Sequence, residues 1–228
     1  MDIVLLAGLW LPASVWEPVV TELGTLGHHG IAVPLPGADD HSTTATLEDQ
    51  LGAALAAVDA AERPLVVGHS AASGLAWLVA DRRPDRVAGV ALVGGFPGED
   101  GRAYADIFPV EDGVVPFPGW EPFEGPDAAD LDDAARAHLA GVARPVPAGV
   151  TRAVVRLGDE RRFGVPVTLV CPEYSPAEAR EWVASGELPE LSRAEHVAYV
   201  DVDSGHWPMT TAPAALARAL AAAAVDAG

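Results

Sequence analysis

The feature that most constrains this chain is a rhythm in which short, continuously apolar runs alternate with longer Ala- and Leu-rich stretches. The runs are Ile3 to Ala7, Ile31 to Leu35, Pro64 to Gly68, Val87 to Gly94, Val167 to Cys171 and Val197 to Val202. A strand that is apolar on both sides of its pleat must be covered on both faces. That requirement points to a mostly parallel sheet with crossover helices. The stretches Val15 to Leu26, Leu47 to Glu62, Ser70 to Asp81, Pro176 to Ser185 and Ala212 to Val225 have the helical spacing or composition such crossovers need. We therefore expect an α/β fold, a mostly parallel sheet of about six strands flanked by helices.

A chain of 228 residues fits one domain, 1–228, with little room for a second. The rhythm fails between Phe96 and Gly164, where Pro, Gly and acidic residues surround two possible helices, Asp127 to Ala140 and Ala148 to Leu157. Residues from approximately 97 to 163 read as an insertion. Its Phe108, Phe117, Trp120 and Phe123 suit an apolar cover over a pocket, and also a loop packed on the sheet edge. The cover is the preferred reading.

Charge narrows the partners. Against 33 Asp and Glu there are 14 basic residues, all Arg, for a formal net charge of −19. Such a surface repels phosphate backbones and anionic membranes, so neither nucleic acid nor membrane is expected as a partner. No apolar run approaches the ~20 residues that span a bilayer. The start, Met1-Asp2-Ile3, carries an acid where a secretory signal carries positive charge, and we expect a cytoplasmic protein. Cys171, the sole cysteine, lies in an apolar stretch and reads as buried and inert. No histidine pair has metal-ligand spacing with a supporting Cys or carboxylate, so neither metal nor other cofactor is expected. Oligomeric state is not legible from the sequence.

The segment that carries chemistry is Leu65-Val66-Val67-Gly68-His69-Ser70-Ala71-Ala72-Ser73-Gly74. An apolar strand ends at Gly68, a serine follows two residues later, and small residues open a helix. This is the sequence form of a nucleophile elbow, a strained turn that projects a serine oxygen from the end of a sheet. Small residues at Gly68 and Ala72 let the two backbones approach closely. The N–H of Ala71, at the helix start, is placed to hold a developing oxyanion with the helix dipole behind it. A Gly-x-Ser-x-small string also arises by chance, and serine caps helices. Its position after the third strand favours the catalytic reading.

Two further strand ends match. Leu5-Leu6-Ala7-Gly8-Leu9-Trp10 closes the first strand, and Val202-Asp203-Ser204-Gly205-His206-Trp207-Pro208-Met209 closes the last. Strand–Gly, strand–Gly-His-Ser and strand–Gly-His, in this order along the whole chain, resemble the α/β-hydrolase superfamily. The short cover and the absence of strands before Ile3 are most similar to its compact esterase and hydroxynitrile-lyase branch. By that resemblance Ser70 attacks, His206 takes its proton and the N–H of Leu9 is the second oxyanion donor. Two departures stand out: Ala72 replaces the second glycine of the elbow, and Ala7 replaces a histidine common before Gly8. In the family the third member, an acid, follows the penultimate strand. Here the usual aspartate position falls on Tyr174 or Ser175, and Glu173 is the nearest acid. Glu99 and Asp100, which follow the preceding strand, compete with it; Asp203 is close in sequence but less well directed, and a Ser–His dyad stays open.

The resulting expectation is a serine esterase that acts on a small apolar substrate through an acyl-enzyme, with Trp10, His69 and Trp207 near the bound molecule. Two alternatives stay open. One is a lyase-like enzyme using Ser70 and His206 as an acid/base pair. The other is a degraded site serving as a ligand-binding module.

Overall fold

In chain order the computed structural model, which describes residues 1–226, places β1 at Asp2–Leu6, α1 at Glu17–Thr25, β2 at His29–Ala32 and α2 at Leu47–Ala60. Next come β3 at Leu65–His69, α3 at Ala72–Arg82 and β4 at Gly89–Val93. The insertion contributes β5 (Val114–Val115), α4 (Asp133–Val142), β6 (Val146–Pro147) and α5 (Ala148–Thr151). The chain closes with β7 (Val167–Cys171), α6 (Pro176–Ser185), α7 (Pro189–Ser192), β8 (Val197–Asp201), α8 (Pro208–Thr211) and α9 (Pro213–Asp226).

Six strands form one sheet in the order β2-β1-β3-β4-β7-β8, every pair parallel. Alternation along each strand divides the core in two, as the strand period of two requires. Val4, Leu6, Val66, Val90 and Leu92 pack with residues of α2 and α3 on one face. Ile3, Leu5, Leu65, Val67, Ala91 and Val93 pack with α1 and α9 on the other. The chain leaves β1 toward β2, then returns across β1 to β3. This reversal opens a crevice at the carboxyl ends of β1 and β3, where open α/β sheets bind their ligands.

The sheet matches the expected architecture, with differences at the ends that have local causes. β2 stops at Ala32, short of Leu35. Val33 N donates to Leu5 O at 3.0 Å, and then Pro34 and Pro36, which lack N–H groups, follow. The first helical stretch begins as a 3-10 turn over Ala13–Trp16, with α1 starting at Glu17 ahead of Pro18. In the insertion the first expected helix is interrupted: Pro126–Ala128 forms a 3-10 turn, and Asp132 caps α4 by accepting from Ala135 N at 2.8 Å. The second reduces to the single turn of α5. Beyond it, Ala153 and Val155 pair with the chain at residues 101–104 through backbone hydrogen bonds, which holds them extended.

The exit of the insertion is pinned to α3 by a buried ion network. Arg162 Nε donates to Glu190 Oε2 at 2.9 Å, Trp77 Nε1 donates to the same oxygen at 2.9 Å, and Arg162 Nη1 lies 3.4 Å from Asp81 Oδ1. Asp81 Oδ1 also accepts from Gly158 N and Asp159 N. Each buried charge thus has the partners that burial demands. Cys171 is buried in the sheet, and burial chiefly pushes its thiol up to about 12, which keeps it protonated at neutral pH.

Candidate active site

Ser70 occupies the turn between β3 and α3 with φ of 54°, a left-handed conformation that costs a non-glycine residue roughly 1–2 kcal/mol. The reading that began α3 at Ser70 is corrected: the helix starts at Ala72, because Ser70 is turned out of helical geometry. Surrounding hydrogen bonds hold the strain. Ser70 N donates to Val93 O at 2.8 Å, Ser73 N to Ser70 O at 2.9 Å, and Ser73 Oγ to Gly68 O at 3.1 Å. Gly68 is required by close approach, since a Cβ there would run into the Ala72 carbonyl. Such strain persists only where the surrounding structure over-determines it.

His206 lies past β8 and ahead of α8. Its Nδ1 lies 2.9 Å from Glu173 Oε1, with both side chains 13% exposed. An Nδ1–H donated to the carboxylate leaves Nε2 bare and able to accept a proton. Glu173 reaches His206 from just beyond β7. Tyr174 packs instead against Phe96 and Trp182, and Ser175 caps α6 by accepting from Glu178 N. Among the competing acids, Asp100 accepts from Leu157 N at 2.9 Å within the insertion, and Glu99 and Asp203 are exposed.

The backbone around His206 is gripped from two sides. His206 N donates to Asp127 O at 2.7 Å and Gly205 N to Asp130 Oδ2 at 2.8 Å, so the insertion latches the histidine loop. A Cβ at Gly205 would collide with both partners. From the opposite side His69 Nε2 donates to His206 O at 2.7 Å. His69 was expected beside substrate. Although it borders the cavity, it is 1% exposed and committed to the His206 carbonyl, so it holds the backbone of the His206 loop in place.

A cavity of about 420 Å³ opens at this end of the sheet, bordered by Ser70, His206, Leu9, Ala71, Trp10 and Trp207. No hydrogen bond links Ser70 Oγ to His206 among the described residues, a looseness common before substrate binds. Among the described residues the N–H groups of Leu9 and Ala71 have no protein acceptor, and both border the cavity. Two free donors flanking the serine are what an oxyanion site needs. Trp10 has φ of 67°, donates Nε1 to Val115 O at 3.2 Å, and packs edge-on against Phe108 and Phe117 at ring distances of 5.1 and 5.6 Å. The insertion aromatics therefore cover the cavity. Asp127 also borders it, a residue the sequence reading placed in a helix and gave no chemical role.

His69 supplies a prediction. Burial first, and the neighbouring His206 charge second, lower its pKa to about 3, so the folded protein keeps it neutral. The unfolded chain binds a proton there near pH 6.5 that the folded chain does not, so stability falls as pH drops from about 6.5 toward 3. The slope is up to ~1.4 kcal/mol per pH unit. His28, also lowered by burial, adds with the same sign. Urea unfolding between about pH 4.5 and 6.5, above the range where ordinary carboxylates titrate, should show a shallower slope for His69→Gln than for the native protein. Equal slopes would contradict the assignment.

Comparison with solved structures places this geometry among known folds. An extracellular alpha/beta-hydrolase from a Paenibacillus species superposes with a TM-score of 0.78 at 19% identity, covering 98% of this chain and 99% of its own. A methylesterase from Arabidopsis gives 0.77 at 14% identity, covering 99% of both chains. A variant of tomato methylketone synthase I complexed with beta-ketoheptanoate gives 0.72 at 15% identity, covering 100% of this chain and 98% of that one. No curated protein matches the chain. The model of a family described as the alpha/beta hydrolase family matches residues 3–219. With its sheet order, its left-handed serine turn and its histidine beyond the last strand, the chain belongs to the α/β-hydrolase family.

Proposed function

We propose that the protein is a serine hydrolase that cleaves an ester-like bond in a small, largely apolar molecule through an acyl-enzyme. The observation that carries this reading is the meeting of a left-handed Ser70 with a His206 whose Nδ1 is held by Glu173, both opening on one apolar cavity. His206 Nε2 takes the hydroxyl proton as Ser70 Oγ adds to the carbonyl carbon. Leu9 N–H and Ala71 N–H hold the oxyanion. The C–O bond of the ester then breaks, the leaving alcohol takes the proton from the imidazolium, and Ser70 carries the acyl group. Water, deprotonated by the same imidazole, releases the acid. Glu173 fixes the imidazole tautomer and offsets its transient charge.

The names of structural neighbours support this class, with a methylesterase and a pyrethroid hydrolase among them. Methylketone synthase I is named as a synthase, so the fold also serves other chemistry. A panel of short and medium acyl p-nitrophenyl esters tests the reading, with acid-quenched samples weighed by mass spectrometry. Hydrolysis with a transient acyl mass on the peptide containing Ser70 is expected. No hydrolysis by folded protein, or turnover without that adduct at any chain length, would overturn it.

A further inference from the structure

The cavity is apolar and rich in aromatic rings, and its ionisable groups are few. Trp10, Phe108, Phe117, Trp120, Phe123 and Trp207 contribute six rings to the wall. Trp120 and Phe123 stand edge-on to Trp207 with ring centroids 5.3 and 5.4 Å away. Beside this cluster sits Asp127, whose carbonyl receives the N–H of His206, the residue before Trp207. Among the described residues its carboxylate has no salt-bridge partner, and no Arg borders the cavity. Arg136 lies 5.6 Å from the Trp120 ring centroid but is held by Glu124 Oε1 at 2.7 Å and by the Ala128 carbonyl.

A half-buried carboxylate in an apolar chamber, met by its own backbone N–H but by no salt-bridge partner among the described residues, is costly unless a ligand completes it. Burial chiefly, with some help from Glu173, raises its pKa above the ordinary carboxylate value, while the His206 charge and the residue's own backbone N–H act in the opposite sense. Aromatic faces attract cations and are most effective when water is excluded. The net charge of −19 draws cations toward the whole molecule. These features converge on one ligand chemistry. A neutral apolar acyl group would fill the aromatic wall and leave Asp127 uncompensated. A carboxylate or phosphate group would be repelled. The transient imidazolium of His206 opposes a nearby cation, but Glu173 stands against its Nδ1 and offsets that charge.

We propose that the cavity selects substrates bearing an ammonium group, with Asp127 as counter-ion and the rings of Trp120, Phe123 and Trp207 as its aromatic bed. This deepens the hydrolase reading and rests on it for the ester bond alone; the cation site stands on the cavity. The backbone contact to His206 uses the Asp127 carbonyl, so Asp127→Asn removes the charge and keeps that contact.

The test compares a choline ester with its carbon isostere, in which a quaternary carbon replaces the nitrogen, on native protein and on Asp127→Asn. The ratio of their kcat/KM values is expected to fall by ~10-fold or more in the variant, the worth of a hydrogen bond or contact to a charged group. A ratio changed by less than ~2-fold would overturn the proposal, being smaller than any such contact. If Asp127→Asn does not fold, native protein decides with an anionic ester of equal length. The cationic ester should be favoured by ~100-fold, since one attraction and one repulsion add, and equal or reversed preference overturns the proposal. If no ester is hydrolysed, the hydrolase reading fails separately. Quenching of tryptophan fluorescence by phenyltrimethylammonium then tests the cation site alone. Saturable binding weakened in Asp127→Asn supports it, and no binding, or equal binding, overturns it.

Discussion

Ser70→Ala is expected to lower kcat for ester hydrolysis on the order of 10⁶-fold, His206→Ala by a comparable factor, and the double variant by no more than either alone. Ser70 is a weak nucleophile without a base, and His206 has no proton to take without the hydroxyl, so removing either removes the whole transfer. The residual rate should come from the Leu9 and Ala71 amides, which are main-chain groups and survive both changes. Steady-state kinetics on the single and double variants checks this. Multiplicative losses would mean that the two residues act in separate steps and would refute the shared proton transfer.

The second large effect is at Glu173. Its Oε1 meets His206 Nδ1 at 2.9 Å, while Oε2 is buried without a partner among the described residues. Gly94, with φ of 57°, leaves room for the pair: a Cβ there would stand 3.1 Å from Glu173 Oε2 and 3.2 Å from His206 Nδ1. Glu173→Gln keeps the shape and offers an amide that can donate to Nδ1, which favours the tautomer unable to accept at Nε2. We expect a fall in kcat on the order of 10⁴-fold, with KM little changed and the loss smaller at high pH. A variant within ~10-fold of the native rate would remove Glu173 as the acid that orients His206, since an orienting acid is worth far more.

The parts of the molecule legible in sequence are those whose physics is local. Ser70 stands two residues past an apolar strand end and ahead of small residues, and His206 follows Gly205 at another strand end. Their chemistry and their turns are therefore written in contiguous residues. Glu173 was reachable only by matching strand order, because its neighbours Tyr174 and Ser175 occupy the usual position and serve packing and capping instead. The role of His69 could not be read, since its partner lies 137 residues away in the chain. Asp127 and Asp130 were hidden for the same reason. They belong to an insertion without clear periodicity, and only the folded chain brings them to Gly205 and His206. The ends of β2 and the interrupted helix before α4 were local in principle, but apolar run length outweighed the prolines and the capping aspartate.

Treatment of the native protein with a fluorophosphonate probe, followed by peptide mass spectrometry, tests the central claim most directly. A stoichiometric adduct on Ser70, lost in Ser70→Ala and strongly slowed in His206→Ala, is the predicted result. Folded protein that takes no label at high probe concentration, or takes it at another residue, would contradict the assignment of Ser70 as the activated nucleophile.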